Sequence, residues 1–139
     1  MQTLGPLRSE TVFGRLRIRL FGANSRERFS AETISTFGWI IRDHNGKVLS
    51  NGEGYPSGFD AAVVEFETNK VKLRIIRFRG EFRADITAIT ARNSENWEDV
   101  DCALQALNPE HKPSLKTLQE LSGLIQKNWP ALERVTVRT

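Results

Sequence analysis

A single cysteine, Cys102, in a chain of 139 residues rules out an internal disulfide and suits a reducing compartment. No apolar run approaches the roughly 18 residues of a membrane-spanning helix, so no membrane is expected as a partner. The segment Met1–Pro6 has neither a basic n-region nor an apolar h-region. No signal peptide is therefore expected, and the expected location is cytoplasmic. A strong charge of one sign is also missing. The 20 Lys and Arg are nearly balanced by 17 Asp and Glu, for a net charge of +3. A dedicated nucleic-acid binder concentrates more positive charge than that, so nucleic acid is the weaker expectation for a partner and another protein, with an acidic one among the options, the stronger.

The residue sets of the common chemistries are missing too. His44, Cys102 and His111 are scattered, and there is no Cys-x-x-Cys or His-x-x-x-His. Zinc and related ions need tight ligand spacing, so no metal and no cofactor are expected. Both histidines are expected at the surface, His44 in a turn and His111 between two prolines. Cys102 lies beside Val100 and Leu104 and close to three acids, the setting of a packed or inert thiol rather than a reactive thiolate. Gly52, Gly54 and Gly58 do not have the spacing of a phosphate-cradling loop. No Gly-x-Ser-x-Gly elbow occurs, so no catalytic residue is assigned and the chain is expected not to be an enzyme.

What is present is ordinary for a folded protein: 39% hydrophobic and 27% charged residues. Residues 1–139 read as a single domain, with 1–14 as a loose lead-in. The most informative stretch runs from Ala61 to Ile89. Asn69-Lys70 makes a two-residue hairpin turn. With Thr68 opposite Val71, the pairs become Glu67 with Lys72, Phe66 with Leu73, Glu65 with Arg74 and Val64 with Ile75. Apolar residues match on one face and opposite charges on the other, and a slip of one residue would spoil both. A second turn near Gly80 returns Phe82, Ala84, Ile86 and Ala88 to the apolar side. The other face carries Glu65, Glu67, Lys72, Arg74, Arg83 and Asp85, the pattern of an antiparallel sheet covered on one side.

Elsewhere the signals are shorter. Leu16, Ile18 and Leu20 alternate with arginines and suggest a strand, whereas residues 22–36 are polar and show no clean period. Trp39–Arg42 and Val48-Leu49 flank Asp43–Lys47 and predict a hairpin in which Gly46 is the left-handed residue, Ile41 faces Leu49 and Asp43 faces Lys47. Residues 51–58 read as a glycine-rich loop. Asn96 is the expected N-cap of a helix with Trp97, Val100, Leu104 and Leu107 on one face, ended by Asn108-Pro109. Pro113-Ser114 is expected to start a second helix carrying Leu115, Leu118, Leu121, Leu124 and Ile125. Trp129-Pro130 breaks or kinks it, and Val135–Val137 is expected to extend as a strand or fray. The resulting fold class is α+β: an antiparallel β-meander of about five strands with two C-terminal helices packed on one face. Phe66 is expected to be buried between the sheet and the helix bearing Trp97.

The candidate binding residues are Arg74, Arg77, Phe78, Arg79 and Arg83, gathered around one hairpin end. Arg77 and Arg79 flank Phe78 and have no obvious cross-strand acid, whereas Arg74 faces Glu65. Arginines beside an exposed aromatic are the residue types that dominate interfaces.

Two resemblances add to this reading. Phe37–Leu49 resembles the second hairpin of the ribonuclease H-like fold, especially the divergent domains of retroelements. On that alignment Arg19–Ala23 would be the first strand, and Phe21 stands where the family has a metal-binding aspartate. The resemblance therefore implies a degenerate or nucleic-acid-binding domain without divalent-metal nuclease chemistry. Phe59–Leu107 is similar to a set of small bacterial proteins of unknown role. The matching pieces are Val63–Phe66, Leu73-Arg74-Ile75-Ile76-Arg77-Phe78-Arg79-Gly80, Ala84–Ile86 and Trp97. Where those proteins often have an aspartate before the Arg-Gly, this chain has Phe78. Some proteins of this kind act as immunity partners of toxins, which implies a non-catalytic interaction protein.

Overall fold

The computed structural model describes residues 25–51, 61–90 and 96–138. The expected lead-in over 1–14, the strand around Leu16, the position of Phe21 and nearly all of the glycine-rich loop lie outside these residues.

Among the described residues, five antiparallel strands form one sheet in simple sequence order: β1 (Lys47–Asn51), β2 (Ala61–Glu67), β3 (Val71–Phe78), β4 (Glu81–Ala88) and β5 (Glu98–Asp99). Five helices among the described residues accompany them: α1 (Ser25–Thr36), α2 (Gly38–Asp43), α3 (Val100–Leu107), α4 (Leu118–Lys127) and α5 (Trp129–Arg138). The class is α+β, with α4 and α5 as the two C-terminal helices.

The central hairpins form as their alternation predicts. Val64 pairs with Ile75, Glu65 with Arg74, Phe66 with Leu73 and Glu67 with Lys72. The turn between them is held by Thr68, whose hydroxyl accepts from the N–H groups of Lys70 (3.2 Å) and Val71 (3.1 Å). The second turn is centred on Arg79-Gly80, so Phe78 pairs with Glu81, Ile75 with Ala84 and Leu73 with Ile86. Ala62, Val64, Phe66, Val71, Leu73, Ile75, Ala84 and Ile86 are all buried on the inner face.

Several expectations are corrected. Trp39–Arg42 is not a strand: Gly38–Asp43 is a short helix that buries Trp39 and Ile40. The β-branched run favours a strand locally, but tertiary contacts outweigh that preference. The Trp39 indole N–H donates to Ser122 Oγ (2.9 Å), and Ser122 donates in turn to the Thr36 carbonyl (3.0 Å). No hairpin therefore joins Ile41 to Leu49 or Asp43 to Lys47. Lys47–Asn51 pairs instead with β2, through Lys47 with Glu67 and Val48 with Phe66, and a bulge then leaves Leu49 outside the pairing. The left-handed residue is Asn45 (φ 57°), not Gly46. Gly46 serves close approach, since a Cβ there would lie 2.9 Å from the Ile40 carbonyl oxygen.

The second correction concerns residues 25–36, which form α1 although no period was visible. Phe29 and Ile34 are the only large apolar residues of this helix, and its buried side also carries Ser30 and Thr33. Third, Asn96 is not the cap of α3. Asp99 is, its carboxylate accepting from the N–H groups of Asp101 (2.8 Å) and Cys102 (3.3 Å), while Glu98 and Asp99 pair with β4. Fourth, α4 starts at Leu118 rather than at Pro113. Thr117 and Glu120 form a reciprocal capping box there, leaving Leu115 76% exposed. Trp129-Pro130 does break the chain of turns, since α4 ends at Lys127, but it also opens α5, to which the tail Val135–Val137 belongs instead of extending as a strand. Fifth, Phe66 is fully buried and packs against the Phe37 ring (centroids 5.9 Å apart), and Trp97 is not part of α3, which starts at Val100. Trp97 sits on the opposite face of the sheet, over Arg74.

Phe66→Ala removes a side chain at the centre of this core and is expected to cost ~3–5 kcal/mol in a denaturant melt, the range for a buried phenylalanine. A loss well under 1 kcal/mol would contradict the packing described.

Candidate interaction site at a hairpin tip

The five arginine-hairpin residues separate once the strands are placed. Side chains alternate across a sheet, so neighbours in sequence face opposite ways. Arg74 lies on the outer face and is built into it. Its guanidinium donates to Asp85 Oδ2 at 2.8 Å and stacks 4.1 Å from the Trp97 ring. Asp85 is only 7% exposed, so Arg74 provides the counter-charge that makes its burial tolerable. Arg77 lies on the other face, with its guanidinium 5.4 Å from the Phe29 ring. It therefore does not flank Phe78 on a common surface.

Phe78, Arg79 and Arg83 do come together at the exposed end. Phe78 is 41% exposed, and the Arg79 guanidinium sits over its ring at 5.1 Å. Arg83 is 63% exposed and reaches Asp85 only at 3.9 Å. A groove of about 340 Å³ is lined among the described residues by Ile76, Phe78, Glu81, Phe82 and Arg83. The outer face is also less exposed than the expectation of a sheet covered on one side, because Val63, Ile76, Asp85 and Thr87 are buried on it.

Arg79 has a further property. Its φ is +54° and that of Gly80 is +79°, so both central residues of the turn are left-handed. Turns of this type favour Asn-Gly, and an arginine there is a strained choice. Neither this strain nor the aromatic groove was read from the sequence. The Arg79-Gly80 pair was the available signal, had the turn been centred there.

The other candidate groups are structural. His44 is half-buried rather than at the surface, packed 5.6 Å from the Trp39 ring and 5.3 Å from the Trp129 ring. His111 Nε2 lies 2.7 Å from Asp101 Oδ1, and Lys116 Nζ approaches the same oxygen at 3.3 Å. This cluster ties the segment after α3 back onto α3. Cys102 is exposed rather than packed. Partial desolvation, and then the carboxylates of Asp99, Glu98 and Asp101, push its thiol up from the ordinary value. Among the described residues no three His, Cys, Asp or Glu side chains gather as a metal-ligand set, and no helix is long and apolar enough to cross a membrane. Compared with known proteins, the chain shows no significant match to a family model, a curated protein or a solved structure.

Two measurements follow from these placements. Arg74→Ala leaves Asp85 without its counter-charge and is expected to cost ~3 kcal/mol in a urea melt, whereas Arg83→Ala should stay within about 0.5 kcal/mol. Equal costs would contradict the division between the two arginines. Cys102, although exposed, should alkylate more slowly with iodoacetamide at neutral pH than a free cysteine does. A raised thiol pKa means less thiolate at that pH, so the rate should still be climbing at pH values where free cysteine has levelled off.

Proposed function

We propose that this chain is a non-catalytic interaction protein that binds an acidic surface of another protein through Phe78, Arg79 and Arg83. The observation that carries the reading is Arg79 at φ +54°, stacked on an exposed phenylalanine. A left-handed non-glycine residue costs of order 1 kcal/mol, and such strain clusters at binding and catalytic positions. Asparagine would relieve it. An arginine at this position makes sense through its side chain, which presents a planar, weakly hydrated cation beside an aromatic ring. The groove lined by Ile76 and Phe82 gives the same tip an apolar floor. Within this class, the narrower reading is an immunity-type partner of a toxin, or of another bacterial protein. It rests on the similarity of the segment 59–107 to small bacterial proteins of that kind.

Arg79→Asn separates function from stability. It is expected to raise stability by about 0.5–1 kcal/mol by relieving the turn, while weakening capture of the partner from the native host. Arg79→Glu with Arg83→Glu should leave the fold nearly intact and slow association in a salt-sensitive way. The reading fails if the captured protein, titrated against wild type and both variants, binds all three alike. It also fails if what the wild type retains is nucleic acid that nuclease treatment removes.

A further inference from the structure

The last helix carries two stripes of side chains. Trp129, Leu132 and Thr136 recur at helical spacing and are buried. Pro130, Glu133, Arg134 and Val137 repeat that spacing one position further on and form a second stripe. The core leaves much of this stripe in water: Pro130 and Arg134 are exposed, and Val137 is 49% exposed. It faces Lys70, in the turn between β2 and β3, across a groove of about 520 Å³. Among the described residues the groove is lined by Lys70, Pro130, Glu133, Arg134 and Val137. That volume is in the range of small-molecule sites, which pair a mostly apolar wall with a few polar groups.

The charges in the groove are not used up by the fold. Lys70 Nζ reaches Glu133 Oε1 only at 3.9 Å, and the Lys70 side chain is 63% exposed. A pair so exposed and so long contributes little and yields to a better partner. Arg134 follows on the same stripe, and among the described residues no carboxylate pairs with it. Two cations against one carboxylate leave one positive charge in excess, which matches a single anionic group. A guanidinium presents its N–H groups as a fork that fits a carboxylate. Pro130 and Val137 supply apolar surface beside that charge, on which a carbon chain can leave water. Glu133 sets the limit, because a second anionic group on the ligand would meet its carboxylate.

We propose that the groove between the Asn69-Lys70 turn and α5 binds a small organic anion that has one carboxylate and an apolar tail. The carboxylate lies between Lys70 and Arg134, and the tail rests on Pro130 and Val137. Lys70 and Arg79 stand at opposite ends of β3, so this site goes beyond the reading of the hairpin tip and stands without it.

The test titrates the full chain, labelled with nitrogen-15, with octanoate as the probe. The amide signals of Lys70, Glu133, Arg134 and Val137 should shift together and saturate, with Kd on the order of a millimolar for a ligand of this size. Octan-1-ol, which lacks the charge, and suberate, which adds a second carboxylate, should each bind more weakly. Arg134→Gln should weaken octanoate about two- to fivefold, the effect of one exposed ion pair, and Glu133→Gln should strengthen it by a similar factor. Both positions are at the surface, and a urea melt checks that the fold is kept. Arg79→Asn should titrate like the wild type. Shifts centred elsewhere, shifts that fail to saturate, an equal response to octan-1-ol, or titrations that neither charge variant alters would each overturn the site.

Discussion

Four cross-strand pairs between β2 and β3 hold the molecule in one register: Val64–Ile75, Glu65–Arg74, Phe66–Leu73 and Glu67–Lys72. Their alternation is the constraint on which the rest depends. A shift of one residue would turn Phe66, Leu73 and Ile75 to the outer face and bring charged residues under the helices. With the register fixed, the inner face presents a continuous apolar surface. Phe37, Trp39, Leu121, Ile125, Trp129 and Leu132 close over it in one core. The turns reinforce the pairing from both ends, through the Thr68 hydroxyl at one and the left-handed Arg79-Gly80 pair at the other.

The same alternation gives chemically identical side chains different tasks. Arg74, Arg77, Arg79 and Arg83 are close in sequence, yet each meets a different environment. Arg74 is held between Asp85 and Trp97 and makes a buried carboxylate tolerable. Arg77 turns inward beside Phe29, a residue of α1. Arg79 and Arg83 remain exposed at the rim, Arg79 over the exposed Phe78 ring. A basic cluster in the sequence thus resolves into two structural arginines and two exposed ones. Their side-chain surroundings decide which is which, not their charge.

Strain and exposure coincide at the tip. The turn places an arginine where backbone sterics favour asparagine or glycine, and the neighbouring aromatic ring stays in water although Phe29, Phe37, Trp39, Phe66 and Trp129 are buried. Each is a small cost to the fold, and both fall at adjacent residues of one turn. A tip that is stiffened by the hairpin, partly apolar and cationic is suited to recognition rather than to bond-making chemistry.

The sequence determined the meander by itself. Period-two alternation and matched cross-strand charges specified every pair from Val64 to Glu67, because those signals are local and mutually consistent. It also determined the α+β class and the presence of C-terminal helices, through the leucine stripe of α4. Tertiary structure decided the rest. A run of Trp39, Ile40 and Ile41 favours a strand, but its burial against Trp129 and its bond to Ser122 make it a helix. Residues 25–36 lack an apolar stripe because the side they bury includes Ser30 and Thr33, so only the contacts of Phe29 reveal the helix. The helix starts moved for a similar reason: Asn96 is a good cap and Pro113-Ser114 a good start in isolation, but the pairing of Glu98-Asp99 with β4 and the box between Thr117 and Glu120 set the actual starts. The candidate site was legible as a list of arginines. Its geometry was not, because which arginine is shielded depends on Asp85, Trp97 and Phe29, residues that only the folded chain brings to them.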